Sequence, residues 1–452
     1  MSHLSKQNPL NPPSAFEKTT YAKVTRRLMP LLLICYVVSY LDRVNVGFAK
    51  LQMLSALGFS DLVYGFGAGI FFVGYFLFEV PSNIIMHRVG ARLWIARIMF
   101  TWGIVSASAA FVTTPTQFYV LRFLLGIAEA GFFPGIVLYL THWYPTQRRG
   151  RAMALFMTAV PLTGVVGGPL SGWILESMGG VQGLAGWQWL FLAEALPALV
   201  AGAAVLYGLD RCIGDADWLK PEEQEFLQRN VDAEEILKPS LSLRQLFRRS
   251  DLWLLSVIYF SFVIGLYGIS FWLPTIIRAT GVTHPLDIGL LTAIPYGVAA
   301  AVMIPVSRRS DRQLERRWHV AIPAILGGVG LLFSVLFAHS TLLAMMAMTL
   351  ATAGIVTTLP LFWSLPTARL GGLAAAAGLA VINSIGNLGG FVSPYLIGLI
   401  ANTTHDTRLG MVFLAGSMFL GALLTLTLGP FDEPARVLAE AHNRAASPQS
   451  GP

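Results

Sequence analysis

Four ionisable residues interrupt apolar stretches of this chain and are its strongest candidates for chemistry. Asp42 and Arg43 stand side by side within the run CYVVSYLDRVNVGFA, which begins at Cys35. Arg122 and Glu129 are seven residues apart, so two helical turns would place them on one face of a helix. A charged side chain in hydrocarbon costs about 2.5–3.5 kcal/mol on insertion scales. Each of the four therefore requires a partner or an aqueous cavity.

An aspartate, an arginine and a glutamate around one cavity can transfer a proton. We predict that Asp42 and Glu129 compete for Arg122, and that the carboxylate left unpaired takes up a proton. Arg43 is then left without an assigned carboxylate, and its forked guanidinium suits an anionic substrate. The alternative is a static network of salt bridges that fixes the helix register.

Buried aromatic and amide side chains are expected to face protein or a cavity, because lipid offers them no hydrogen-bond partner. The side chains chosen to line a substrate site are Tyr40, Tyr75, Trp363 and Asn383. Weaker candidates for that role are Tyr267 and Trp272. Residues interpreted as structural or gating groups are Glu79, Glu194 and Asn387.

The bulk composition is that of a membrane protein. Of 452 residues, 55% are hydrophobic and only 12% are charged, whereas a soluble domain carries about 25% charged residues. The net charge of +7 is concentrated in short loops, which indicates membrane orientation and not a nucleic-acid surface. Two cysteines, Cys35 and Cys212, are not expected to form a disulfide framework. The sequence has no His/Cys ligand cluster, so no metal and no cofactor are expected.

Twelve apolar segments of about 20 residues are long enough to cross a bilayer. They are expected at residues 27–48, 63–86, 92–112, 117–141, 151–177, 188–209, 252–277, 287–307, 319–338, 341–366, 373–401 and 409–430. Glycines four residues apart, such as Gly164, Gly168 and Gly172, favour close helix packing. Basic residues cluster in the loops of one side, while the other side carries little beyond Lys50, Arg278 and Arg408. This asymmetry predicts that both termini are cytoplasmic.

The charged, helix-prone residues 211–250 divide the segments into six plus six. The predicted fold is therefore an all-α polytopic membrane protein with twelve transmembrane helices in two six-helix bundles. Its expected parts are a disordered tail (1–20), a first bundle (21–210), a cytoplasmic connector (211–250), a second bundle (251–430) and a C-terminal tail (431–452).

This organisation resembles the major facilitator superfamily and, within it, the anion:cation symporter family of tartrate, phthalate, glucarate and galactonate carriers and sialin. The motifs that carry the resemblance are YLDRVNVGFAK at 40–50, RFLLGIAEAGFFPG at 122–135, THWYP at 141–145, GWQWLFLAEALPA at 186–198 and the stretch 362–398. The likeness extends over about residues 25–430.

The resemblance implies roles for the candidate residues. Asp42 and Glu129 would be the protonatable carboxylates, and Arg122 their switchable partner. Arg43 would hold the substrate carboxylate, with the site lined by Tyr75, Trp363 and Asn383. Two departures from the family favour a compact substrate: segment seven has no charge at its core, and the stretch around Val160 and Pro161 is apolar.

The sequence thus predicts a proton-coupled symporter of the inner (plasma) membrane, not an enzyme. It would import a small organic carboxylate, either a tartrate-like hydroxy acid or an aromatic acid such as phthalate, by alternating access. The expected partners are the anion, the proton and the lipid bilayer, with no nucleic acid, and the expected state is a monomer. The alternatives are a proton-independent uniporter or exchanger of the same anions, and a membrane sensor that binds the anion without moving it.

Overall fold

The computed structural model describes residues 15–236, 246–313, 315–369 and 373–429. Within these ranges, twelve helical segments are long and apolar enough to cross a membrane. The all-α fold with twelve transmembrane segments is therefore confirmed. Residues 15–20, predicted as tail, form the first turns of a helix. The remaining tail residues, 1–14 and 431–452, and connector residues 237–245 lie outside the described ranges.

Nine helices form the first six spans. They are α1 (Ala15–Val44) with α2 (Val46–Leu57), α3 (Asp61–Val89), α4 (Ala91–Ser108), α5 (Pro115–Glu129) with α6 (Phe132–Thr141), α7 (Thr146–Met157) with α8 (Ala159–Ser177), and α9 (Gly186–Gly208). Side-chain caps fix two of the starts. Ser60 accepts from the Val63 amide at 3.2 Å and Thr114 from the Gln117 amide at 3.3 Å, which satisfies N–H groups that a helix leaves free.

Seven further helices form the last six spans, and one lies between the halves. The latter is α10 (Pro221–Ile236). The others are α11 (Ser250–Ala279), α12 (Pro285–Gln313), α13 (Arg317–Leu336), α14 (Thr341–Arg369), α15 (Leu373–Asn387) with α16 (Gly389–Thr404), and α17 (Arg408–Thr427). Proline begins α10 as expected, because its missing N–H and fixed φ suit a first turn.

The fourth span is interrupted directly after Glu129. Ala130 leaves the helical region with ψ 131°, and Gly131 has φ +87°, which a residue with a Cβ rarely adopts. The Ser82 hydroxyl donates to the Ala130 carbonyl at 2.7 Å and accepts from Trp94 Nε1 at 2.9 Å. These bonds replace the helical hydrogen bond lost at the break. They hold Glu129 at a fixed helix end.

The connector helix α10 packs on the first half of the chain. Phe226 contacts the Phe16 ring at 5.5 Å and the Tyr21 ring at 6.1 Å, while Glu223 pairs with Lys23 at 2.7 Å. We call the end of the molecule that carries α10 the connector face, and the other end the opposite face. Since α1 begins at the connector face, successive spans alternate in direction between the two faces.

The two halves of the chain meet along pairs of closely packed helices. On α3, a Cβ at Gly65 would meet the Pro394 carbonyl of α16 and lie 3.0 Å from Gly398 Cα. On α8, a Cβ at Gly168 would lie 2.6 Å from the Gly289 carbonyl oxygen of α12. The helix-packing role predicted for these glycines is confirmed, because only a residue without a side chain allows such approach.

Candidate functional site

Arg43 lies at the centre of the molecule, buried where α1, α3, α5 and α11 meet. Its Nη1 donates to the Tyr267 hydroxyl of α11 at 2.8 Å, and its Nη2 pairs with Glu129 Oε1. The third donor, Nε, is buried and has no hydrogen-bond partner among the described residues. A buried guanidinium with an unused donor is a ready contact for an anion, because leaving the donor unpaired is costly.

The pairing of Arg43 with Glu129 corrects the prediction that Arg43 lacks a carboxylate. Glu129 is the last residue of α5 and also accepts from Ser39 Oγ on α1 at 2.6 Å. The sequence argument paired Glu129 with Arg122 because the two share a helix face. However, seven residues separate Arg122 and Glu129 by about 10 Å along the helix axis. Arg43 of the neighbouring helix α1 lies closer to Glu129 and pairs with it instead.

Arg122 bonds to backbone and not to a carboxylate. Its Nε and Nη2 form long hydrogen bonds of 3.4 and 3.5 Å to the carbonyls of Gly67 and Ala68 on α3. Its guanidinium carbon lies 5.2 Å from the centre of the Phe71 ring, and that of Arg43 lies 5.3 Å from the same ring. Phe71 thus contacts both arginines, and among the described residues only Arg43 pairs directly with Glu129.

Asp42 points away from Arg43, as expected for adjacent helical residues. Its Oδ1 accepts from Ser106 Oγ of α4 and from Asn45 Nδ2 at 3.4 Å. Only 1% of Asp42 is exposed. The structure therefore brings Arg43 and Glu129 into contact and holds Asp42 and Arg122 beside them with other partners.

Aromatic rings enclose the Arg43 guanidinium. Its carbon lies 5.5 Å from the Tyr75 ring and 6.0 Å from the Tyr40 ring. Tyr40 stacks on Tyr267 at 6.4 Å and hydrogen-bonds Ser270 of α11 at 3.2 Å. Two of the predicted lining residues, Tyr40 and Tyr75, thus flank the arginine together with Tyr267, which the sequence ranked lower.

Asn383 contacts the first half of the chain and not Arg43. Asn383 Nδ2 donates to Glu79 Oε1 at 2.9 Å, and Ser384 Oγ donates to Glu79 Oε2 at 2.8 Å. Glu79 lies on α3 between Tyr75 and the connector face. These bonds join the two halves of the chain on the connector-face side of Arg43, and the structural or gating role expected for Glu79 stays a prediction. Trp363 packs on the Tyr259 ring at 4.8 Å.

A second junction joins the halves between Arg43 and the opposite face. Lys50 Nζ pairs with Asp61 at 2.7 Å and lies 3.5 Å from the Trp272 ring centre. Tyr64 donates its hydroxyl to the Phe271 carbonyl at 2.8 Å. Placing Lys50 in a loop was wrong: α2 extends to Leu57, and a carboxylate and an aromatic face allow the ammonium to be buried.

The sequence missed several residues that hold the charged groups. Ser39 is four residues before Arg43, so helical spacing from Arg43 could have indicated it. Ser106 is one of three hydroxyl residues in the apolar span α4, and no spacing distinguishes it from a packing residue. Phe71 is equally hard to single out from the sequence, because the chain contains many phenylalanines. Such partners depend on which helices become neighbours.

Comparisons with known proteins agree with this architecture. The model of the Major Facilitator Superfamily matches residues 32–394. A protein of Agrobacterium vitis, provisionally named a tartrate transporter, is 49% identical over 417 residues, covering 92% of this chain and 96% of that protein. NicT of Pseudomonas putida, provisionally named a metabolite transport protein, is 48% identical over 413 residues, covering 91% and 94%.

Among solved structures, a D-xylose–proton symporter superposes with a TM-score of 0.72 at 14% identity, covering 90% of this chain and 98% of that one. At that identity the likeness concerns the fold alone. Twelve spans and relatives that are transporters define a membrane transporter and not an enzyme. The chain belongs to the Major Facilitator Superfamily, and the relative named for tartrate is consistent with the anion-carrying branch that its motifs resemble.

Proposed function

We propose that this protein is a proton-coupled symporter that imports a small organic carboxylate, tartrate-like or aromatic as in phthalate. The observation that carries the proposal is the state of Arg43, which is paired with Glu129 and has one unused donor. Movement would follow alternating access, with residues 21–210 rocking against 251–430. The junctions at Glu79 and at Lys50 would open in turn.

Coupling follows from a competition for Arg43. An ionised Glu129 accepts from Nη2, and its negative charge repels a substrate carboxylate that would bind at Nη2 and Nε. A proton on Glu129 removes the negative charge that holds this pair. Nη2 and Nε would then face the substrate together, and bidentate binding of a carboxylate would follow. Asp42 would act as a second proton-binding group and orient the end of α1 through Ser106.

The surroundings of Arg43 favour a compact anion. Among the described residues, only the Arg43 fork faces the aromatic enclosure, because Arg122 is turned to the carbonyls of α3. Ring faces at Tyr40, Tyr75 and Tyr267 suit a flat or short molecule better than a long polyhydroxylated chain. The tartrate name of a relative at 49% identity supports the same size class.

The placement we propose is the inner membrane with both termini in the cytoplasm. Basic residues gather at the connector face near the helix ends where one span connects to the next, for example Arg88, Arg148 and Arg308. Short loops rich in lysine and arginine stay on the cytoplasmic side. The connector face would therefore be cytoplasmic, and a monomer would suffice because the site lies within one chain.

The test compares two transport modes of Glu129→Gln in proteoliposomes. A thermal-shift screen of organic acids at pH 5.5 and 7.5 first identifies the ligand. Glutamine imitates the protonated residue, so we expect loss of accumulation driven by a pH gradient while counterflow exchange persists.

Asp42→Asn should impair both modes because it also disturbs α1. Full pH-driven accumulation by Glu129→Gln would contradict the coupling role, and wild-type uptake indifferent to the gradient would favour a proton-independent carrier.

A further inference from the structure

A large cavity in the described part of the chain lies outside the charged site. It is a groove of about 1300 Å³ on the outer surface of the second half, between α12, α13 and α14. We call it the lateral groove and define it by the apolar residues Ile294, Val298, Val302, Ile322, Leu326 and Met346. Its volume exceeds the roughly 300–1,000 Å³ of common small-molecule sites.

The lateral groove is open along its length. Ile294 is 51% exposed and Met346 is 62% exposed, although both belong to membrane-spanning helices. On α12 the lining extends from Leu291 to Gln313, about 33 Å at the helical rise, against a hydrocarbon thickness of about 30 Å. In a bilayer such a surface is in contact with acyl chains, because water is absent at that depth.

One end of the lateral groove is polar and basic. Arg309, Trp318 and His319 line it where α12 ends and α13 begins, at the connector face. The Arg309 side chain is exposed and forms no hydrogen bond or ion pair with a described residue. Glu315, an acid between α12 and α13, is engaged elsewhere: it accepts from the Trp318 amide at 2.9 Å and contacts His319 Nδ1 at 2.9 Å. The positive charge of Arg309 is thus left for an external anion.

We propose that the lateral groove binds an anionic phospholipid, with its phosphate at Arg309 and its acyl chains along α12 and α13. Trp318 is 53% exposed at the level where headgroups lie, the position that indole rings favour in membranes. Basic pockets between spans on one side of a membrane protein suit lipid headgroups. The lateral groove thus combines an apolar lining long enough for acyl chains, the unpaired Arg309 side chain and the interfacial Trp318.

The test measures lipid binding and does not depend on the transported substrate. Purified protein in detergent receives phosphatidylglycerol or phosphatidylcholine, and bound lipid is counted by native mass spectrometry while the melting temperature is followed. We expect phosphatidylglycerol to bind more tightly and to raise Tm more. Arg309→Gln should weaken phosphatidylglycerol binding about tenfold, since a charge-assisted hydrogen bond is lost.

Arg312→Gln is the matched control, because Arg312 is exposed on the same helix but does not line the groove. It should bind phosphatidylglycerol like the wild type. Val302→Trp, which fills the groove, should reduce retention of both lipids. Equal binding of the two lipids by the wild type would overturn the proposal, as would equal effects of the two arginine substitutions. A dimer abolished by Val302→Trp without lipid adducts would assign the groove to a second copy instead.

Discussion

At the scale of single residues, Arg43 connects the features expected of substrate and proton binding. Its three donor positions have three different states: one is bound to a tyrosine of the second half, one is paired with Glu129, and one is unused. A ligand carboxylate that binds at Nε and Nη2 meets the negative charge of Glu129, so close binding is favoured when that charge is neutralised or withdrawn. This competition is a physical route by which a proton and an anion could depend on each other.

Arg43→Lys should lower ligand affinity by at least tenfold. An ammonium on a flexible stem cannot present two parallel donors while also reaching Tyr267, so about 1.5–3 kcal/mol of charge-assisted bonding is lost. Isothermal titration with the best ligand from the thermal-shift screen measures the change. Arg97→Lys is the control, because Arg97 contacts Trp94 and Thr101 within α4. Near wild-type affinity in Arg43→Lys would contradict a bidentate grip.

The sequence predicted the charged residues of the site but not their pairing. Asp42, Arg43, Arg122 and Glu129 are conspicuous because a charge in an apolar span requires an explanation. Which carboxylate meets which arginine depends on the contact between α1 and α5 and on the helix break at Ala130. Neither is encoded in spacing along one helix, and several side chains of similar reach compete for the same partner.

At the scale of elements, α3 carries the contacts that join the halves on both sides of Arg43. Tyr64, Phe71, Tyr75 and Glu79 follow one another at spacings of seven, four and four, so they lie along one stripe of the helix. Tyr64 bonds to α11 toward the opposite face, and Glu79 bonds to α15 toward the connector face. A small tilt of α3 could weaken one junction while tightening the other.

Removing the partners of Glu79 should loosen the junction nearer the connector face. In Asn383→Ala/Ser384→Ala the carboxylate loses both donors from α15 and is left in a buried position. Spin labels at the exposed positions Ile84 and Ala380, in a Cys212→Ser background, should report a longer and broader distance distribution.

Asn402→Ala on α16 serves as the control for this double substitution and should leave the distribution unchanged. If the double variant also retains the wild-type distribution, Glu79 does not hold the halves together at this junction.

The docking of α10 should depend on pH through Glu223. The Lys220 amide and the Lys23 ammonium hold the pKa of this carboxyl below its usual range, by donating to the ionised form. The stability that Glu223 adds to the docked α10 is therefore complete above the unfolded pKa of about 4.3. It is lost as pH falls through the lower pKa of the folded state. The amide hydrogen-exchange rates of residues 221–236, corrected for intrinsic rates, should increase as the pH is lowered from 7 to 3.

Lys23→Met should show part of that rise already at pH 7, because it removes one partner of Glu223. Exchange that is equally slow at both pH values in the wild type would show that the ring contacts of Phe226 alone hold α10.

At the scale of the whole molecule, the halves meet through backbone-to-backbone contacts that tolerate no added side chain. Gly65→Val would place methyl groups against the Pro394 carbonyl of α16. We expect destabilisation of about 1–3 kcal/mol from overpacking, a lower Tm, and a bias toward separation of the halves at the opposite face. Thermal unfolding and counterflow measure the two effects.

Gly416→Ala is the control for Gly65→Val, because a Cβ at Gly416 meets nothing within 4 Å. It should behave as the wild type. A Gly65→Val protein with unchanged Tm and counterflow would show that α3 and α16 need not approach this closely.

The halves also differ in charge. Every buried charged side chain of the described residues lies in the first half, and the second half buries only neutral polar groups such as Thr358 and Asn383. The second half can therefore tilt through the electric field of a membrane without displacing a buried charge. A membrane potential does work of about 2.3 kcal/mol per elementary charge and 100 mV. Under the proposed symport, the voltage dependence of uptake would then reflect the net charge of the proton and the anion carried together, and electrical recording could determine their ratio.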